Sequence, residues 1–232
     1  GAGLTCQIPQ HFFREEAKRL RLPGARDLRP EHTLAVGVFF LLEEESNRAD
    51  AARGIIREVL SRGPHTFLGF RPVPVQLEAI PAHVQASRPA AVEQVLLRMH
   101  GDLATAERWC YQSRLELQHR FQETGLDVYL ASLSARLVCY KGLLTSQQFC
   151  DYFLDLADPA FETGIAIFHR RYSTNTFPNW KLAQPFRLTC HNGEINTIRT
   201  NRNAVQAYSR GLNPPLPGGE LLTQRMSDSA SL

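Results

Sequence analysis

Cysteine is sparse and irregularly placed in this 232-residue chain. The five cysteines, at 6, 110, 139, 150 and 190, are odd in number and none forms a C-x-x-C pair. That excludes a disulfide framework and a cysteine-rich zinc site, and it fits a reducing compartment, the cytoplasm or a plastid in a eukaryote. Long apolar runs are missing too. The longest, Leu34–Leu42, has nine residues, well short of the roughly 20 that span a bilayer, so no membrane partner is expected. No basic segment followed by an apolar one opens the chain, so no signal peptide is read. Charge of one sign is also lacking. Twenty-six Lys and Arg face 23 Asp and Glu, for a net +3, which is too weak a bias to indicate nucleic acid. There is no internal repeat and no low-complexity tract. What remains is ordinary globular composition, 43% apolar and 21% charged, in one domain able to bury about 70–75% of its surface. Both ends read as cut. Gly1 has no initiator Met before it, and Ser227-Asp228-Ser229 near the other end stops inside a motif.

The pattern along the chain predicts strands mixed with helices, not a strictly alternating order. Thr33–Leu42 reads as a buried strand. Ser46 is expected to cap a helix over Asn47–Arg62, with Ala51, Ile55, Val59 and Leu60 on its apolar face. Thr66–Phe70 and Val92–Met99 read as strands, separated by a proline-rich loop with short extended pieces. Leu103, Ala106, Cys110, Leu117 and Phe121 mark one face of a helix over Asp102–Glu123, stopped by Gly125. Asp127–Leu133 and Arg136–Leu143 are expected to pair as a hairpin about Ser134-Ala135. Gln147–Leu156 reads as a short helix, Gly164–His169 and Phe186–Cys190 as strands, and Glu194–Arg210 as a helix ended by Gly211. Strands and helices mixed in this order point to an α+β fold.

The stretch 169–203 carries most of the chemistry. Arg171, on a polar turn with Ser173 and Thr174, can hold a carboxylate through its guanidinium fork. Asn192-Gly193 can offer a side-chain amide and a backbone N–H to one oxygen, the arrangement an oxyanion needs. Asp228 can accept from an ammonium. Each has a plainer reading: Asn-Gly is a common turn, a lone Arg is usually a surface cation, and Asp in Ser-Asp-Ser is often a cap or turn residue. His169 and His191 have no second ligand at metal spacing, so no metal is expected.

Taken together, these segments resemble the class II glutamine amidotransferases, and within them the N-terminal glutaminase domain of the glutamate synthase large subunit. The resemblance rests on His169-Arg170-Arg171-Tyr172-Ser173-Thr174, on Thr174–Arg187, on His191–Thr197 and on Ser227-Asp228-Ser229. Gly1–Gly3, Gln7-Ile8-Pro9, Phe12–Glu15, Tyr140-Lys141-Gly142 and Asp155-Leu156 extend it over essentially the whole chain. It implies an N-terminal-nucleophile αββα sandwich, two stacked sheets with outer helices, here lacking its first strands. It also implies roles. Asn192 and Gly193 would form the oxyanion hole, and Arg171, Thr174 and Asp228 would bind glutamine. The parent enzyme would hydrolyse glutamine and use the ammonia to aminate 2-oxoglutarate reductively, with FMN and an iron–sulfur cluster outside this stretch. Its partners would be the remainder of the large subunit and a small subunit or ferredoxin.

The family's nucleophile is an N-terminal cysteine whose own amine is the base, and Gly1 stands first here. Cys6 lies inside the matched stretch. Cys110, Cys139 and Cys150 read as packing residues, and Cys190 points away from its neighbour His191 if both lie on a strand. The chain is therefore expected to be an inactive part of an active enzyme. The alternative is a non-catalytic glutamine-binding or interaction module.

Overall fold

The structure, a computed structural model, describes residues 1–43, 45–170, 178–187, 189 and 196–211. Among the described residues, seven strands form two antiparallel sheets. One sheet has the order β6-β1-β7, from β1 (Ala2–Gln7), β6 (Leu137–Gly142) and β7 (Ala166–His169). The other has the order β3-β4-β2-β5, from β2 (Leu34–Leu41), β3 (Thr66–Pro72), β4 (Ala91–Arg98) and β5 (Val128–Ser134).

The layers follow from the alternation of side chains along β2, which is buried at every position. Leu34, Val36, Val38 and Phe40 join a core shared with Cys6, Val138 and Tyr140 of the first sheet, so this core lies between the sheets. Ala35, Phe39 and Leu41 face the other way, into a second core with α2 (Ser46–Leu60) and α4 (Leu103–Thr124). A strand covered on both faces needs an unbroken apolar run, which is why Leu34–Leu42 stands out in the sequence. The remaining helices are α1 (Gln10–Arg19), α3 (Ala82–Gln85), α5 (Ser146–Tyr152) and α6 (Ile198–Arg210). Two antiparallel sheets face to face, with α2 and α4 outside the four-stranded one and α1 and α5 packed into the core between the sheets, make an α+β arrangement consistent with the N-terminal-nucleophile fold.

Several local expectations need correction. β5 and β6 are consecutive but do not form a hairpin: β5 pairs with β2, and β6 with β1. The corner between them has its own partners. Glu107 on α4 accepts from the Ala135 N–H and from the Ser134 hydroxyl, and Ser134 Oγ accepts from the Leu137 N–H at 3.0 Å. With those amides satisfied, the chain can change sheets. Ser46 is the first residue of α2 rather than its cap. The buried stripe of that helix is Ala52, Ile55, Ile56, Val59 and Leu60, and Ala51 is exposed. Leu103, in the first turn of α4, is also exposed, while Asp102 caps it through Thr105 N–H at 2.9 Å and Gly125 closes it at φ 64°. The proline-rich segment contains a 3-10 turn, Leu77–Ala79, and α3. The short helix near 150 is two pieces, because Phe153 is extended and bridges to Val75, leaving a 3-10 turn at Leu154–Ala157.

Candidate active site

The segments that resemble a glutaminase site are attached at one end of β1. β7 runs antiparallel to β1 with His169 opposite Gly3. The chain therefore leaves the sheet at Arg170, beside the Ala2 end of β1, where Arg170 Nε donates to Ser146 Oγ at 3.1 Å. Arg171 and Thr174 follow directly and lie outside the described residues.

The chain re-enters as a strap, residues 178–187, wrapped around β6. Trp180 is buried on the core side beneath Gly142, its ring against Tyr152 and its Nε1–H donating to Ser87 Oγ at 3.2 Å. A Cβ on Gly142 would lie 2.4 Å from that ring. Gln184 and Pro185, joined by a cis peptide bond, cover the opposite side of the sheet at Gly3. A Cβ there would lie 2.3 Å from the Gln184 carbonyl oxygen. These two glycines are required by close approach, not by backbone conformation. Lys141, buried between them, donates to the Lys181 carbonyl at 2.9 Å and the Tyr129 hydroxyl at 2.7 Å, with its ammonium 4.2 Å from the Phe186 ring centre.

Beyond the strap, the strand expected over Phe186–Cys190 is a tight turn in its described part. Phe186 and Thr189 bridge to each other about Arg187, whose φ is +46°. A non-glycine residue in that region marks a turn rather than a strand. Asn192 and Gly193 come next, outside the described residues, as do Cys190 and Asp228. The helix expected from Glu194 is described from Ile198 to Arg210. The structure therefore places the flanks of both motif segments at the Ala2–Gly3 end of β1, while the five candidate site residues themselves lie outside the described residues.

Three of the four described cysteines are poorly made for attack. Burial pushes the Cys6 thiol up to about 11 and the Cys110 thiol up to about 12, and it raises Cys139 as well. A thiol held protonated is a weak nucleophile. Cys150 is exposed on α5. Among the described residues, no three His, Cys, Asp or Glu side chains gather into a metal-ligand set.

A polar network inside the sandwich was not legible as such. Arg71 makes a two-pronged pair with Asp155 at 2.7 and 2.8 Å and donates to Gln94 at 2.8 Å and Glu16 at 2.8 Å. Gln94 donates to the Tyr140 hydroxyl, which donates to Asp155, both at 2.7 Å. Asp155 and Tyr140 belong to the family-like segments, yet they act here as internal ties. The available signal was Arg71 and Gln94 inside otherwise apolar strands, where a polar residue needs a partner.

Compared with known proteins, residues 1–232 match the family described as Glutamine amidotransferases class-II. The whole chain aligns at 35% identity over 243 residues with the glutamate synthase (NADPH) large chain of Azospirillum brasilense. It aligns at 38% over 244 residues with the glutamate synthase (NADPH) large chain of Bacillus subtilis (strain 168). It aligns at 35% over 242 residues with ferredoxin-dependent glutamate synthase 1, chloroplastic/mitochondrial, of Arabidopsis thaliana. These alignments take up 16%, 15% and 14% of the relatives, so the chain spans about a sixth of their length.

Proposed function

Because the chain belongs to the class-II glutamine amidotransferases, we propose that it is a single glutaminase domain of a glutamate synthase, completed by residues outside 1–232. The observation that carries this reading is the tethering of both motif segments at one end of β1, through β7 and the strap. In the proposed reaction a cysteine thiolate supplied from outside these residues attacks the side-chain carbonyl of glutamine. The carbonyl oxygen becomes an oxyanion, held by the Asn192 amide and the Gly193 N–H. Ammonia leaves, and water releases glutamate. Arg171 and Thr174 hold the substrate carboxylate, and Asp228 accepts from its ammonium.

The ammonia would serve reductive amination of 2-oxoglutarate elsewhere in the longer protein. FMN and an iron–sulfur cluster belong there, supplying the electron transfer that reduction requires. The electron donor, NADPH or ferredoxin in the names of the relatives, would also act there, directly or through a small subunit. Residues 1–232 alone should release no ammonia from glutamine, since Cys6, Cys110 and Cys139 are buried with their thiols held protonated. In the longer, active protein, Asn192→Ala should lower kcat for glutamine hydrolysis by about 10²–10³ with a smaller change in KM. An unchanged kcat would remove Asn192 from the oxyanion role.

A further inference from the structure

Lys141 is 1% exposed, where β6, β5 and the strap meet. Its ammonium donates to the Tyr129 hydroxyl of β5 at 2.7 Å and to the Lys181 carbonyl of the strap at 2.9 Å. The ring centres of Phe186 and Tyr129 lie 4.2 and 4.6 Å from the nitrogen, close enough for the ring faces to share its charge. One side chain thus grips the strap at two points, the backbone at Lys181 and the ring at Phe186. The Lys181 side chain adds a third tie, to Asp127 at 2.5 Å, just before β5. Between the two grips the strap lays Gln184-Pro185 against Gly3. Taking an ammonium out of water is costly, and an apolar side chain would fill the same space at less cost. What the ammonium adds is direction, because its N–H donors fix where a carbonyl and a hydroxyl must sit.

We infer that Lys141 is a positioning residue for glutamine hydrolysis. By holding Lys181 and Phe186 it fixes the strap that leads, through the turn at Arg187, into Asn192-Gly193, and so it aims the oxyanion donors. This rests on the glutaminase reading proposed above and extends it to a side chain with no assigned contact to substrate. The demand on placement is steep. An oxyanion donor works only within hydrogen-bond distance of the developing charge, and a misplacement of about 1 Å costs on the order of 10²-fold in rate. The groups assigned to substrate binding hang on other supports. Arg171 and Thr174 follow β7, on the far side of the strap from Asn192. The effect of Lys141 should therefore fall on kcat rather than on KM.

The test uses the longer, active protein in four forms: the parent, Lys141→Met, Asn192→Ala and the double variant. Glutamine hydrolysis is measured per competent site, counted by stoichiometric labelling with an electrophilic glutamine analogue, so that a loss of folded protein does not register as a loss of rate. Lys141→Met should lower kcat per site about 10–100-fold while KM stays within about twofold of the parent. The double variant should fall well short of the product of the two single losses, because the donor that Lys141 aims is already gone. Phe186→Leu keeps a half-buried apolar side chain but takes the ring away from the ammonium. It should lower kcat per site by a smaller factor, and it replaces Lys141→Met should that variant not fold. Parental kcat per site in Lys141→Met, or in Phe186→Leu where it stands in, overturns the positioning role and leaves the glutaminase reading in place. So does a double variant whose losses multiply in full. An unchanged kcat in Asn192→Ala overturns both.

Discussion

Glu16 is the residue whose charge state is most exposed to test. Its carboxylate lies at the end of α1 between Arg19, 2.6 Å away, and Arg71, 2.7 Å away. The Arg19 hydrogen bond, with Arg71 behind it, holds the carboxyl at about 2 against the burial that pushes it up. The folded value is depressed below the ordinary value of 4.5. Stability from this group is therefore fully present above pH 4.5 and is lost as pH falls toward 2. Glu16→Gln should cost ~1–3 kcal/mol at neutral pH, measured by urea unfolding. The difference from the parent should shrink through that window and vanish near pH 2. A gap that stays constant with pH would mean that the glutamine loses packing rather than charge. The same residue shows what a sequence hides. Glu16 sits three before Arg19 and reads as a helix-surface pair, and nothing local announces that Arg71, 55 positions on, is its second partner.

Among the elements, the strap depends on what Gly142 lacks. A methyl there would lie 2.4 Å from the Trp180 ring, closer than packed atoms tolerate, so the ring has to move out. In a Trp109→Phe background Trp180 is the remaining tryptophan. Gly142→Ala should shift its emission to the red and lower stability by roughly 1–3 kcal/mol, the usual cost of overpacking. Emission unchanged from the parent would show that the ring is not seated under Gly142. Elements built on one period were legible from the apolar pattern alone. β2 and α4 appear within a residue or so of their expected bounds, because both have continuous apolar patterns set by their own core. The β5–β6 corner was not legible, since which sheet each strand joins is decided by partners far along the chain and by Glu107, 27 residues before Ser134. The strap was not legible either. Its sequence reads as a loop, and only the family-like run Thr174–Arg187 marked it as special. The chemistry expected of Arg171, Thr174, Asn192, Gly193 and Asp228 came from that resemblance and from side-chain type, and the fold adds the placement of their flanks.

At the scale of the molecule, the two sheets are tied to each other by the Arg71 network, which links β3, β4, β6, α1 and the turn at Asp155, and β2 contributes to both cores. Trp109 on α4 lies in the helix-side core and Trp180 in the core between the sheets. Single-tryptophan variants, Trp109→Phe and Trp180→Phe, should therefore unfold in urea at midpoints that agree once each variant's own stability is allowed for. Arg71→Met, which strands Asp155, should lower both by the same free energy, about 3–5 kcal/mol. A fall in the Trp180 signal alone would show that the sheets unfold separately. The strap sets one more property, the tolerance of this protein to insertions and deletions. Between Trp180 under Gly142 and Pro185 against Gly3, the backbone is pinned on both faces of one sheet. Adding or removing a residue there would slide one motif segment past the other. A residue added in the exposed turn around Arg29–His32 would move neither. Length variation among homologous chains should therefore fall in such surface turns and spare the six positions from Trp180 to Pro185.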